Sequence, residues 1–111
     1  LVLEGTGRFG AGARTRALWA GVEGNAALQH LQQKVESAVV RTGLPAEERK
    51  FIPHVTLARL KDAPAERVAR FLEERGLFRA GPVRVDHFTL FESRPGRGGP
   101  VYIPLGEYPL A

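Results

Sequence analysis

The sequence contains no cysteine and no methionine among its 111 residues. Without cysteine the chain has no disulfide, no thiol nucleophile and no cysteine-ligated zinc or iron–sulfur site. No apolar run approaches the roughly 18 residues that a membrane-spanning helix needs, and the N-terminus lacks the basic-then-apolar order of a secretory signal. We therefore expect a soluble cytoplasmic protein with no membrane partner.

The residues that are present suit one globular domain. Hydrophobic residues make up 43% and charged residues 25% of the chain, which is too apolar a composition for a disordered segment. The excess of 16 Lys and Arg over 12 Asp and Glu suits a polyanionic partner, since the arginine fork fits phosphate oxygens. We predict a single domain over residues 1–111. Because Leu1 falls in the middle of a predicted strand, we also expect a longer parent protein.

The spacing of apolar residues predicts the order ββαβαββ and an α+β fold with antiparallel sheet. The predicted strands cover residues 1–9, 17–23, 51–60, 83–92 and 101–108. A first helix should begin after a cap at Asn25, bury a stripe of Leu28, Leu31, Val35 and Val39, and end at Gly43. A second helix should run from Pro64 to Arg75, with Val68, Phe71 and Leu72 as its apolar face.

His54 and Thr56 form an H-x-T-x pattern on the third predicted strand. Successive side chains of a strand point to opposite faces, so these two emerge together on one face. Imidazole exchanges a proton near neutral pH and a hydroxyl donates a hydrogen bond to a phosphate oxygen, which together suit the cleavage of a phosphate diester. The pattern is short and common, however, and on its own it favours a half-buried structural histidine.

Its surroundings are more specific. The run Phe51-Ile52-Pro53-His54-Val55-Thr56-Leu57-Ala58-Arg59 resembles the second H-x-T-x motif of the bacterial 2'-5' RNA ligase family. Members of this family are also called RNA 2',3'-cyclic phosphodiesterases, and they fall within the 2H phosphoesterases. The resemblance extends to ALWAGVE over 17–23, to the segment 41–51, to FTLFES over 88–93, and to Tyr102 and Tyr108-Pro109-Leu110. It covers nearly the whole chain.

The resemblance implies a 2H-phosphoesterase-like bilobal fold in which each lobe presents one H-x-T-x motif to a shared cleft. It implies hydrolysis of a 2',3'-cyclic phosphate end of RNA to a 2'-phosphate without metal or cofactor, and reversible joining of RNA ends through a 2'-5' bond. Carried onto this chain, His54 is the proton acceptor and Thr56 binds phosphate. The donor histidine belongs to a motif expected upstream of Leu1. We therefore expect the N-terminal part of the fold to be missing and this chain alone to be inactive or strongly impaired.

Other candidates for the site are weaker. His87 and Thr89 form a second H-x-T-x, which we interpret as a chance match on a C-terminal strand, although a shared cleft with His54 would complete a two-histidine site. His30 should be a solvated helix residue. Arg59 is a candidate for substrate binding, although strict alternation places it on the face opposite His54.

The remaining features favour structural roles. Arg94 and Arg97 should lie at a hairpin turn. The residues Gly5, Gly7, Gly10 and Gly12 precede no Gly-Lys-Ser/Thr sequence and are interpreted as turn glycines. Trp19 and Phe51 are able to stack on a base but are more often core residues. Three histidines without a carboxylate at ligand spacing predict no metal site.

Two other functions fit the same residues. One is a non-catalytic RNA-binding domain whose arginines contact the backbone of the nucleic acid. The other is a cyclic phosphodiesterase that acts on small nucleotides rather than on RNA. Hydrolysis in the full-length protein separates the first from an enzyme, and activity on a cyclic mononucleotide separates the second from an RNA enzyme.

Overall fold

The fold was obtained as a computed structural model, which describes residues 1–110. The elements, in chain order, are β1 (Leu3–Phe9), a single 3-10 turn (Gly12–Arg14), β2 (Ala17–Val22), α1 (Ala26–Arg41), β3 (His54–Arg59), α2 (Ala65–Glu74), β4 (Arg79–Ala80), β5 (His87–Arg94) and β6 (Val101–Pro109). The predicted α+β fold with antiparallel sheets and two helices is confirmed.

Four of the strands form one antiparallel sheet in the order β3-β2-β1-β4. The central strand β2 pairs with β1 on one side and with β3 on the other. The short strand β4 pairs with the start of β1 at the opposite end of the sheet. Strand β3 is therefore an edge strand, and its side chains are accessible from both the face and the edge of the sheet.

One face of this sheet carries the apolar core. Leu18 and Ala20 alternate onto this face and are buried, as is Val68 of α2. The side chain of Thr6, which is in register with Ala20, donates its hydroxyl to the backbone oxygen of Arg75 at 3.3 Å. Helix α2 thus covers this face. Full burial of a valine or leucine side chain contributes roughly 1.5–3 kcal/mol, so the burial of Leu18 and Val68 stabilises this side of the domain.

Strands β5 and β6 pair separately as a two-stranded antiparallel hairpin. Within it, the rings of Phe88 and Tyr108 stack with their centroids 5.0 Å apart, as expected for aromatic residues that face each other across two strands. Many of its other apolar side chains, among them Phe91 and Leu105, are exposed.

The first helix has the predicted cap but not the predicted burial. The backbone N–H of Leu28 donates to Oδ1 of Asn25 at 3.0 Å, which confirms the cap. No residue of α1 is fully buried: Leu28, Leu31 and Val39 are half-buried and Val35 is exposed. The prediction of a buried stripe was wrong because helical spacing identifies the more apolar face, not how completely other elements cover it.

Two other expectations need correction. Strand β4 was not predicted, since two residues show no alternation, and the next strand begins at His87 rather than at residue 83. Gly5 and Gly7 are not turn glycines but lie within β1. Gly5 has φ +69° at the irregularity in the pairing of β1 with β2, where a left-handed backbone favours glycine.

The second helix agrees with its prediction to within one residue at each end. Pro64 precedes the helix rather than lying in its first turn, and its carbonyl accepts from the backbone N–H of Arg67 and Val68. Val68 is buried and Phe71 and Leu72 are half-buried, as predicted. Neither of the helices described in residues 1–110 has the length and apolar character to cross a membrane.

Candidate phosphate-handling site on strand β3

His54 and Thr56 lie side by side on the face of the four-stranded sheet that α2 does not cover. His54 is in register with Gly21 and Thr56 with Trp19, and residues directly opposite in an antiparallel pair share a face. Both side chains are exposed. We call this surface the His54 face, defined by His54, Thr56 and Trp19.

A backbone carbonyl fixes the orientation of the imidazole. Nδ1 of His54 lies 2.6 Å from the carbonyl oxygen of Ile52. A carbonyl oxygen only accepts, so Nδ1 carries the proton, and in the neutral ring Nε2 is left with a free lone pair. Pro53 contributes to this geometry because a residue before proline is restricted to extended backbone, which limits where the Ile52 carbonyl points.

Two aromatic side chains contact the ring of His54. The ring of Phe9 meets it edge to face at 4.9 Å between centroids, and that of Trp19 is tilted at 5.9 Å. Phe9 and Trp19 also contact each other at 5.6 Å. Trp19 is half-buried beneath the histidine and is not part of the buried core, which is formed by Leu18, Ala20 and Val68.

A β-bulge brings Arg59 to the same face. Ala58 pairs with Leu18 whereas Thr56 pairs with Trp19, so Leu57 is an extra residue on β3. The extra residue reverses the alternation beyond it, and Arg59 becomes the partner of Ala17, which shares the face of Trp19. The expectation that Arg59 lies opposite His54 was thus wrong, because strict alternation holds only in an unbulged strand. Its Nη2 lies 3.5 Å from the hydroxyl of Tyr102.

A groove of about 1140 Å³ lies beside these side chains, and His54, Thr56 and Arg59 all line it. Further basic residues along it are Arg16, Arg49 and Lys50. Among its described lining residues the single carboxylate is Glu47, which accepts from the backbone N–H and Nε of Arg49 at 3.0 and 3.2 Å. Hydrogen bonds from Arg49 hold the pKa of Glu47 below its usual value. The charged side chains along the groove are therefore mostly cationic, which suits a phosphate-bearing ligand. Phe51 is half-buried on its wall.

The second H-x-T-x does not join this site. His87 and Thr89 lie on β5 in the separate hairpin, in register with Pro109 and Glu107, and neither lines the groove. Nδ1 of His87 lies 2.6 Å from Oδ1 of Asp86, and Nε2 lies 3.9 Å from Oε1 of Glu107. The hydrogen bond to Asp86, followed by the charge of Glu107, raises the pKa of His87.

The remaining candidates also lie elsewhere. His30 is exposed on α1, as predicted. Arg94 ends β5 and contacts Glu92, and Arg97 lies between β5 and β6. The structure therefore brings together His54, Thr56 and Arg59, and within residues 1–110 it places no second histidine beside them. Sequence reasoning missed Phe9, Arg16 and the role of Trp19 beneath His54, since their approach depends on the register of three strands.

Comparison with known proteins identifies the fold and the family. Residues 21–102 match the family described as LigT like Phosphoesterase, a range that includes β3, α2 and β5 and ends two residues into β6. The chain belongs to this family. The resemblance carried by the Phe51 to Arg59 run is thereby confirmed.

Curated relatives of this LigT-like chain carry one name. The RNA 2',3'-cyclic phosphodiesterase of Aeropyrum pernix is 38% identical over 98% of this chain and 63% of its own length. That of Thermotoga maritima is 31% identical over 95% of this chain and 54% of its own length. The crystal structure of the Thermus thermophilus protein TT0787 superposes with a TM-score of 0.68 at 26% identity, covering 98% of this chain and 58% of that one. The chain thus spans less than two thirds of the length of these relatives.

Proposed function

We propose that this chain carries the proton-accepting half of an RNA 2',3'-cyclic phosphodiesterase, with His54 as acceptor, Thr56 as phosphate ligand and Arg59 as a second phosphate contact. The observation that carries the proposal is the hydrogen bond from Nδ1 of His54 to the Ile52 carbonyl. It leaves Nε2 as the free base of a neutral imidazole beside an open, cationic groove. The names of the curated relatives support the choice of substrate.

In this mechanism Nε2 of His54 removes a proton from a water molecule as its oxygen attacks phosphorus. The bond between phosphorus and the ribose 3'-oxygen breaks, and the product is a 2'-phosphate with a free 3'-hydroxyl. The Thr56 hydroxyl donates to a nonbridging oxygen, and the Arg59 guanidinium makes a charge-assisted contact to phosphate that binds the RNA. No residue in this scheme requires a metal ion.

A second imidazole has to protonate the departing 3'-oxygen in the same step. His87 lies in the separate hairpin and His30 is exposed on α1, so neither is placed beside His54. We propose that the donor comes from the part of the relatives' length that this chain does not span. The 111-residue chain alone should then be inactive or strongly impaired. If a 5'-hydroxyl of RNA attacks phosphorus instead of water, the same site joins RNA ends through a 2'-5' bond.

The test is hydrolysis of a short RNA with a 2',3'-cyclic phosphate end by the full-length protein. His54→Ala should lower turnover by about 10²–10⁴-fold, the usual contribution of a general base, while His87→Ala should leave it unchanged. The product should be the 2'-phosphate. Equal turnover in wild type and His54→Ala would remove His54 from the mechanism.

The same experiment separates the alternatives. RNA binding that falls steeply with salt, survives His54→Ala and is accompanied by no hydrolysis would identify a binding domain instead. Faster turnover of a cyclic mononucleotide than of the RNA would identify an enzyme for small nucleotides.

A further inference from the structure

The side chain beneath His54 belongs to Trp19, the single tryptophan of the chain. Its indole ring lies against the imidazole, with 5.9 Å between centroids and 52° between ring planes. No hydrogen bond joins the two rings, since Nε1 of Trp19 has no acceptor among residues 1–110. They are close enough to pack, so the indole limits the rotation of the imidazole about its side-chain bonds.

A glycine in the neighbouring strand leaves room for the indole ring. Gly7 lies directly opposite Trp19 in the pairing of β1 with β2. A Cβ atom at Gly7 would come within 2.2 Å of Cζ2 of the indole, so any other residue would displace the ring. Gly7 does not have a positive φ, and its requirement is therefore steric rather than conformational.

Gly21 leaves further room for the indole ring of Trp19. A Cβ atom at Gly21 would lie 3.4 Å from Cζ3 of the indole and 2.6 Å from the carbonyl oxygen of Glu4. Gly21 is also the residue in register with His54. The indole thus occupies the area left by the absent side chains of Gly7 and Gly21, and the imidazole stands over the same area.

The indole is held by packing and not by a hydrogen bond. Nε1 of Trp19 is buried and has no hydrogen-bond acceptor among residues 1–110. An unpaired buried donor is unfavourable, and an apolar ring at this position would avoid it. A larger ring reaches both glycines and the imidazole, which a smaller apolar side chain would not.

We infer that Trp19, seated on Gly7, is a positioning residue that holds the His54 imidazole with Nε2 toward the groove. The inference rests on the proposed function, because it names the residue through which the proposed base is oriented. Trp19 acts on the reaction only through His54. The Ile52 carbonyl fixes one nitrogen of the ring and the indole fixes its plane.

A spectroscopic measurement tests the contact without reference to catalysis. Protonated imidazole quenches the excited state of a neighbouring indole, so Trp19 emission should show a pH step that reports His54. Subtracting the emission of a Trp19→Phe variant of the full-length protein isolates the signal of Trp19. The step should disappear in His54→Ala and persist in His87→Ala. A step that survives in His54→Ala, or no step in wild type, would overturn the contact.

A kinetic measurement tests the consequence. Trp19→Leu should lower kcat for the cyclic phosphate about tenfold or more with KM changed less than twofold, because a misplaced base slows proton removal without weakening binding. Trp19→Phe should recover part of the loss, since an aromatic ring remains beneath the imidazole. A rise in KM with unchanged kcat would instead make Trp19 a binding residue and overturn the inference.

Gly7→Ala provides a second route that keeps the indole. It should lower kcat to the extent of Trp19→Leu, and the double variant should lose no more than either single variant, because both act on the same ring position. Strictly additive losses would overturn the inference. Circular dichroism and thermal midpoints identify any variant that fails to fold. If the emission step depends on His54 but hydrolysis does not, the contact stands and the proposed function fails.

Discussion

The four-stranded sheet and the β5–β6 hairpin each carry one H-x-T-x sequence on a strand, at His54 and at His87. Both histidines begin their strands and both are exposed. The partners of the two rings differ. Nδ1 of His54 lies against the neutral carbonyl of Ile52, whereas Nδ1 of His87 lies against the carboxylate of Asp86. The four-residue pattern is therefore the same while the groups that contact its histidine differ in charge.

The difference decides which motif suits an anionic substrate. Basic side chains such as Arg16 and Arg59 line the groove beside His54. The two carboxylates of Asp86 and Glu107 flank His87 and would repel a phosphate. They also favour the imidazolium form of His87, which has no free lone pair to accept a proton. A short motif thus defines candidates, and the neighbouring charges discriminate between them.

After the histidines themselves, removal of the hydroxyl from each motif should give the largest contrast. Thr56→Val in the full-length protein should lower turnover of the cyclic phosphate by about 10–150-fold, since a hydrogen bond to a charged group contributes roughly 1.5–3 kcal/mol. Thr89→Val removes the matching hydroxyl on β5 and should have no effect. Steady-state hydrolysis of a 2',3'-cyclic phosphate RNA measures both. Equal effects at the two positions would abolish the distinction between the motifs.

Removal of one arginine from each region should give a smaller contrast. Arg59→Gln should raise KM for the RNA about tenfold, because it removes a charge-assisted contact to phosphate. Arg59→Lys should bring KM only part of the way back to the wild-type value, since an ammonium lacks the planar fork.

The matched control for Arg59 is Arg94, which ends β5 and does not line the groove. Arg94→Gln should leave KM unchanged. If Arg94→Gln raised KM as much as Arg59→Gln, the effect would reflect overall charge rather than position. A lower salt dependence of KM in Arg59→Gln than in wild type would support a direct phosphate contact.

The position of Arg59 also shows where sequence reasoning ends. The alternation of β3 correctly placed His54 and Thr56 on one face, because that part of the strand is regular. It failed at Leu57, where the bulge reverses the faces of all later residues. The segment Val55 to Ala58 gives no local signal for a bulge, since it contains neither glycine nor proline.

The same limit applies to the aromatic cluster but not to the cap of α1. Phe9 approaches His54 across two intervening strand pairings, and the register of β1 on β2 depends on an irregularity at Gly5. Local features such as the Asn25 cap were predictable because the donor lies three residues away. Contacts between strands distant in the chain depend on several registers at once, and a single sequence does not fix these.

The smallest expected effect is a titration difference within the hairpin. The hydrogen bond to Asp86 and the charge of Glu107 raise the pKa of His87 above 6.5, its ordinary value. Asp86→Asn should therefore lower the pKa of His87 most, and Glu107→Gln should lower it less. The Hε1 resonance of His87, followed by NMR against pH, measures both. An unchanged midpoint in Asp86→Asn would place the two side chains apart in solution.

The same pair gives a pH dependence of stability with a defined sign. Because its pKa is raised, His87 contributes stability that is fully present below pH 6.5 and is lost as pH rises through the raised value. Asp86 has a lowered pKa through its hydrogen bond to His87, so its contribution is present above pH 3.8 and is lost as pH falls through the lowered value. The pair therefore stabilises the hairpin most between these limits.

The two carboxylates should not contribute equally to that stability. Asp86 adjoins His87 in sequence, so the unfolded chain retains part of their attraction, and only the difference between the two states counts. Glu107 approaches His87 only when β5 and β6 pair. Glu107→Gln should therefore change the pH dependence of the unfolding midpoint more than Asp86→Asn does, although its effect on the pKa of His87 is the smaller one. A larger change in Asp86→Asn would show that the unfolded chain does not retain the neighbouring contact.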